Sequence, residues 1–553
     1  MQQEYNYRPL VPGNIRLVTI APGSWEDDVY FTIEQQSPSD VANHYDCLSY
    51  TWGDPVDLRR IYCQTSYTCL NVTTSCQLAM RRLRLLLRPR RVWIDAVCIN
   101  QHDLSERAQQ VSIMGEIYKR ARAVVIYLGE EADRSSDAMN YLNEIRLQKA
   151  SWSTPLAPNL MSALAALIAR PWFSRIWVLQ ELFNAASATI VCGSCEAPWA
   201  ALDIYKWWHI LGRRDIDRWP FVTTIKDRSV YYSTDLLGLL LGSRYCGATD
   251  ARDKLFALLP MIRDAHMVGI PPDYTTSKPN LYLQVALHLA RHGLQFLAVV
   301  SHNPDSLAAE AVPSWVPEWD FDDGCVPIWP STGKAIPSTP QLTASGDILH
   351  KPGEIQEQTN YKAGGPGPVI PEVIRGVKSI LKVRGIRIGE ISHLSPVMFT
   401  TVEDLALSKG DFFLTWTSLR RKYKGAAVWE TSRSPHPIHH SIDAVMGHPM
   451  WKSTTTQYNR TWQHDVVGVT NGRRIFVADR DRMGMVPALA QVGDVLFIFL
   501  GCPVPIVLRL NKNEGGFKFV GPCYVNRLMM DNAIDILREE LGDAFALLDF
   551  YLL

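Results

Sequence analysis

One stretch leaves little choice of fold: residues 91–130, RRVWIDAVCINQHDLSERAQQVSIMGEIYKRARAVVIYLGE. Val92, Trp93, Ile94, Ala96 and Val97 form an apolar run too short for a helix and rich in strand formers. Asn100 to Ser105 is polar and turn-like, and Asp103 with Glu106 three residues on has the form of a capping box. Ala108, Val111, Met114, Tyr118 and Ala121 then recur at helical spacing, giving one buried stripe. Ala123 to Leu128 is a second unbroken apolar run, closed by Gly129. Strands that are apolar throughout need cover on both faces, as in parallel sheets with crossover helices. The expected fold is α/β, a doubly wound parallel sheet.

The flanking sequence extends this unit. Residues 1–44 hold IRLVTI and VYFTI around a Pro-Gly turn, an expected hairpin beside the main domain. Tyr45 to Tyr50 reads as a strand stopped by Gly53, Asp54 and Pro55. Ligands of open parallel sheets sit beyond the carboxyl ends of strands, so the turn Ser49-Tyr50-Thr51-Trp52-Gly53-Asp54 is either a pocket edge or a tight turn with a packing tryptophan. Thr74 to Arg88 is predicted helical, with Ala79, Met80, Leu83 and Leu87 inward and Arg81, Arg84 and Arg88 on another face. With Arg90 and Arg91 these make a basic cluster that reads as a solvated face rather than a phosphate site. Two helices follow, over 137–149 and 160–170, then a helix starting near Pro171 and Ser174 and a strand at Thr189–Cys192. The main domain is therefore expected over 45–200.

Beyond it, 201–329 reads as a helical extension. In it Asp250 and Asp253 are expected to cap a helix and join one buried ion pair, and Ser314 to Trp319 to pack one domain on another. Residues 330–374 are rich in Pro, Gly, Ser and Thr and read as a linker or long loop. The runs LKVRGIRIGEI, RRIFVA, DVLFIFLG, PIVLRL and FKFVGPCYV make 375–553 a β-rich module with flanking helices.

Composition narrows the function classes. Fifty-six basic residues balance fifty-six acidic ones among 553, so no global field draws the chain to nucleic acid or membrane. No apolar stretch approaches the roughly 18 residues of a membrane span, and the N-terminus lacks a secretory pattern. Eleven cysteines without such a signal suggest buried, reduced thiols and a cytoplasmic location. There is no Gly-rich phosphate loop, G-x-S-x-G elbow or H-E-x-x-H. Cys192-x-x-Cys195 lacks the second ligand pair zinc needs, and Cys98 lacks a recognisable activating base. Glu181 stands out because it follows Trp177 by four residues on one helical face, and burial beside an aromatic raises a carboxylate's pKa.

Three segments, YDCLSYTWGDP, VWIDAVCINQHDLSERAQQVSIMGEIYKRARAVVIYLG and RPWFSRIWVLQEL, resemble the signature blocks of the fungal heterokaryon incompatibility (HET) domain. The likeness continues through DARDKLFALLPM, PSWVPEW and FVGPCYV. It departs at Asn526–Asn532, where family members often carry His-Gly-x-Met-x-Gly-Glu. The resemblance implies non-self recognition and programmed cell death, with self-association or another incompatibility protein as partner. HET domains are in turn distantly similar to TIR domains, which implies a TIR-like (flavodoxin-like) doubly wound sheet. Trp177 to Glu181 resembles the TIR W-x-x-x-E, whose glutamate is catalytic in the TIR domains that cleave NAD. The candidate sites are thus Glu181 as catalytic residue and Ser49, Tyr50, Trp52, Gly53, Asp95 and Trp177 around a nucleotide or other small molecule. NAD would be a substrate, with no resident cofactor. Two other readings stand beside this one: a small-molecule enzyme of secondary metabolism on a HET scaffold, and a non-catalytic, self-associating signalling module.

Overall fold

The computed structural model describes residues 3–147, 157–202, 235–262, 268–302, 312–321, 363–364, 369–375, 379–395, 397, 430–431, 472–525, 528–529 and 532–553. Most of the expected 330–374 linker, parts of the 201–329 helical extension and most of the divergent 526–532 tail lie outside these residues. The chain divides into two compact units, Met1–Thr275 and Thr276–Leu553.

The described residues of the first unit hold nine strands: β1 (Ile15–Ile20), β2 (Tyr30–Gln36), β3 (Asp46–Tyr50), β4 (Leu58–Cys63), β5 (Thr68–Thr73), β6 (Arg90–Trp93), β7 (Ala123–Tyr127), β8 (Ala188–Cys192) and β9 (Cys195–Pro198). They lie in the order β5-β4-β2-β1-β6-β3-β7-β8-β9. Only β6, β3, β7 and β8 form a continuous parallel block. Counted along the chain this block runs 2-1-3-4, the order with which flavodoxin-like sheets begin. The expected all-parallel sheet is corrected to a mixed one. The β1–β2 hairpin adds antiparallel to β6 rather than standing beside the domain, and β9 adds antiparallel to β8. The β4–β5 hairpin escaped detection because Arg59 and Arg60 break its apolar pattern.

Local chemistry explains the element ends. Every residue of β3 is buried, the polar Asp46 and Ser49 included, as in a strand covered on both faces. β6 stops at Trp93, and Ala96 and Val97, expected in that strand, instead form the short helix α2 (Asp95–Cys98), entered by an Ala96 N–H to Asp95 Oδ1 bond of 2.7 Å. The helix α3 (Leu104–Arg120) is capped by Asp103, which accepts from the Ser105 and Glu106 N–H groups at 3.0 Å. Glu106 does not complete the box. It binds Arg16 at 2.6 and 2.9 Å and the Asn100 N–H. The helix α1 (Thr74–Leu83) ends earlier than expected, where Arg84 turns extended and gives its guanidinium to the carbonyls of Ser24, Asp27 and Asp28. Leu87, expected inward, is therefore 95% exposed. α4 (Ser135–Arg146), α5 (Pro158–Ile168) and α6 (Trp177–Asn184) connect β7 to β8.

In the second unit, β10 (Glu372–Ile374) and β12 (Glu430–Thr431) pair with the long strand β11 (Ile380–Leu394). β11 also joins β15 (Val495–Phe499) and β19 (Leu548–Leu552). With β16 (Ile506–Asn511) and β17 (Gly516–Pro522) they close a five-stranded ring, β11-β15-β16-β17-β19. β13 (Arg473–Ala478), β14 (Arg482–Pro487) and β18 (Tyr524–Val525) extend from β11, and Ile386, Phe476, Leu496, Val507 and Leu537 share its core. The Ser314–Trp319 segment belongs to this unit: Ser314 Oγ accepts from the Phe519 N–H at 2.7 Å and donates to the Leu553 carbonyl. Among the described residues no helix is long and apolar enough to cross a membrane.

Candidate functional site

The carboxyl end of β3 gathers the polar groups that sequence reasoning pointed to. β3 alternates, and the side chain of Ser49 meets α6. Its Oγ donates to Glu181 Oε2 and accepts from Trp172 Nε1 at 2.7 Å. All three side chains are buried, Glu181 to 3% exposure. Trp172 reaches this point because Pro171 starts a 3-10 turn, Pro171–Ser174, ahead of α6. The entry to α6 is braced by Gly247, whose carbonyl accepts from the Ile176 N–H at 2.9 Å.

A second layer lies nearer solvent. Trp52, 38% exposed, donates its indole N–H to Asp95 Oδ2 at 2.8 Å. The turn under it depends on glycine: Gly53 has φ +76°, and a Cβ there would meet Ser75 Cβ at 3.3 Å. Ser75 Oγ fixes the same turn through the Thr51 carbonyl. Arg175 donates to the Tyr50 carbonyl and is half-buried. Tyr50 itself is buried in the sheet, so its side chain is core rather than pocket wall.

Burial pushes the Glu181 carboxyl up to about 7; Arg175 and the Ser49 hydroxyl hold it back, and the Asp95 charge adds to the rise. Burial also raises Asp95, opposed by Arg175 and by the Trp52 bond. Two carboxyls thus share the field of one guanidinium, and the inner one exchanges its proton near neutrality, as general acid–base or charge-stabilising groups require.

Trp177 has another task. Its indole donates to Asp253 Oδ2 at 3.0 Å, and Tyr274 donates to Asp253 Oδ1 at 2.7 Å. The indole that reaches the partner of Glu181 is Trp172, not Trp177. Spacing within one helix singles out the i, i+4 neighbour and is blind to a turn that folds back from before it. Asp250 pairs with Arg252 at 2.7 Å, but the pair is partly exposed rather than buried, and the helix over Asp253–Phe256 has no side-chain cap, which corrects the capping expectation. Trp172, Arg175 and Asp253 were missed as site residues although all three lie in blocks already noted, RPWFSRIWVLQEL and DARDKLFALLPM.

The remaining candidates resolve into structure. Cys98 is buried and its thiol is pushed up to about 12, chiefly by burial, so it is no nucleophile at neutral pH. Cys192 and Cys195 face each other across the β8–β9 turn. In the basic cluster Arg90 pairs with Asp46, Arg91 with Glu34, and Arg84 is buried on backbone carbonyls, while Arg88 is exposed.

Residues 45–181 match the family model described as heterokaryon incompatibility protein (HET), and the match ends on Glu181. Residues 45–181 are a HET domain. Residues 446–552 match a second family model, the Het-6 beta-barrel domain, over most of the ring strands. Heterokaryon incompatibility protein 6, OR allele, of Neurospora crassa is 24% identical, the alignment covering 98% of this chain and 96% of that protein. No solved structure matches. The HET match contains every residue described at the site but Gly247, Asp253 and Tyr274, which brace its last helix from beyond the matched stretch.

Proposed function

We propose that this HET protein acts in non-self recognition, and that its HET domain is TIR-like and triggers cell death by cleaving NAD at Glu181. The observation that carries the reading is the buried Glu181 carboxyl beside the carboxyl end of β3. β3 is the first strand of a 2-1-3-4 parallel block, where the strand order reverses and such sheets bind ligands. The name of the Neurospora crassa relative supports the biological role, with an incompatibility protein or a second copy of the chain as partner.

In the cleavage the C1′–N bond of the nicotinamide riboside breaks and its electron pair leaves with neutral nicotinamide, so the leaving group needs no acid. Water adds to C1′ and gives its proton to solvent. Ionised Glu181 stabilises the cationic ribose between the two steps. At about 4 Å and an effective dielectric of about 20, one carboxylate contributes about 4 kcal/mol, or roughly 10³-fold in rate. Trp52, half in solvent with Asp95 beside its indole, is suited to stack a cationic ring.

Purified full-length protein incubated with NAD is expected to release nicotinamide, and Glu181→Gln to stop it. An inactive wild type that nevertheless kills cells on overexpression would sink the enzymatic part. The deep burial of Glu181 favours a second reading, in which the Trp172–Ser49–Glu181 contact only ties α6 to β3 and the domain signals by association. Killing by Glu181→Gln equal to wild type would select it.

A further inference from the structure

The Ser49 hydroxyl has one proton and two lone pairs. Trp172 Nε1, a donor with no acceptor capacity, occupies one lone pair at 2.7 Å. Among the described residues the one acceptor of the hydroxyl proton is Glu181. Trp172 is packed edge-on against both Phe173 and Trp199, ring centroids 5.1 and 5.7 Å away, in one three-ring cluster that holds the indole in place. Three buried groups therefore form a directed line, N–H to O–H to carboxylate, running from a rigid aromatic cluster to the acid.

We propose that Ser49 and Trp172 are positioning residues that keep Glu181 in its carboxylate form, the indole fixing the serine so that its proton points at the acid. This changes the role of Ser49 from a substrate contact to a support of the acid. It rests on Glu181 as the working group but not on what that group works upon. A hydrogen bond to the charged form of a carboxyl favours that form, and a donor behind it strengthens the effect. Without the line, Glu181 would be a buried acid facing mostly groups that favour its neutral state. Burial and the Asp95 charge favour the neutral acid, and the positive charge opposing them is that of Arg175.

The test is a carbon-13 NMR titration of full-length protein labelled at glutamate carboxyls, with Glu181→Gln assigning the resonance. The wild-type midpoint is expected at about 7. Ser49→Ala should raise it by about one pH unit and Ser49→Thr should restore it, while Trp172→Phe should raise it by about half a unit. A Ser49→Ala or Trp172→Phe midpoint equal to wild type, in protein whose remaining spectrum is unchanged, overturns the relay. The titration needs no turnover, so it separates two failures. Shifted midpoints without nicotinamide release leave the relay standing and remove only the NAD reading.

Discussion

The two ends of β3 each bury an acid, and they handle it in opposite ways. At the amino end Asp46, fully buried, is gripped by Arg90 and Arg122 at 2.7 to 2.9 Å. At the carboxyl end Glu181 has a serine hydroxyl for a partner, and Arg175 acts on it only through space. A buried carboxylate with two guanidiniums is a fastening, costly to disturb. One left short of counter-charge is held near its own titration point, which stability alone gives no reason to keep. The five-residue strand thus separates a structural acid from a candidate working one.

That contrast can be broken by experiment. The largest effect is expected in turnover: Glu181→Gln should cut nicotinamide release by about 10³-fold, while Asp46→Asn should leave the rate per folded molecule within a few-fold. In stability the order reverses. Asp46→Asn should cost about 2 kcal/mol in urea unfolding of the first unit, because it removes the charge behind the bonds to partly buried Arg90, while Arg122, 63% exposed, is left in water. Glu181→Gln should instead stabilise that unit at pH 8 by up to about 3 kcal/mol.

The sign of the second effect follows from linkage. The folded Glu181 midpoint of about 7 lies above the unbound value of 4.5, so folding takes up a proton between them. Its stabilising contribution is complete below pH 4.5 and is lost as pH rises through 7. Unfolding free energy should therefore fall across this window in wild type and fall less in Glu181→Gln. A pH-independent difference between the two proteins would remove the distinction between the strand ends.

Smaller effects sharpen the picture. Asp253→Ala leaves the Trp177 N–H and the Tyr274 hydroxyl without their acceptor and should cost about 2 kcal/mol. It should also lower turnover by loosening α6, with calorimetry and nicotinamide release read together. Leu87→Gln, on a side chain 95% exposed, should change unfolding free energy by less than about 0.5 kcal/mol.

How far these features were legible depends on what each residue meets. β7 was legible because both its faces are covered, which forces an unbroken apolar run, and β3, interrupted by Asp46 and Ser49, from the Gly53, Asp54 and Pro55 stop behind it. β11, β13, β15, β16 and β17 were legible by the same apolar richness. β4 was not, since its first three residues are exposed and polarity there carries no signal. Glu181 could be found from spacing within one helix. Ser49 could be placed at the site from its strand position, but its bond to Glu181 and the arrival of Trp172 could not, because the two lie 132 and 9 residues away in sequence and are joined to it by the sheet order and a 3-10 turn. Leu87 misled because a helix read from periodicity has no stated end, and Arg84 found better acceptors than another helical turn.

The ring of the second unit has a practical bearing of its own. Its closing strand, β11, precedes the matched Het-6 barrel residues by some fifty positions, yet it holds β15 on one stretch and β19 on another. A fragment cut at residue 446 would shed the stave that shuts the cask, leaving two raw edges of unpaired amides. Such edges recruit other chains, so insolubility of that fragment would say nothing against the intact protein, and expression should begin upstream of Ile380.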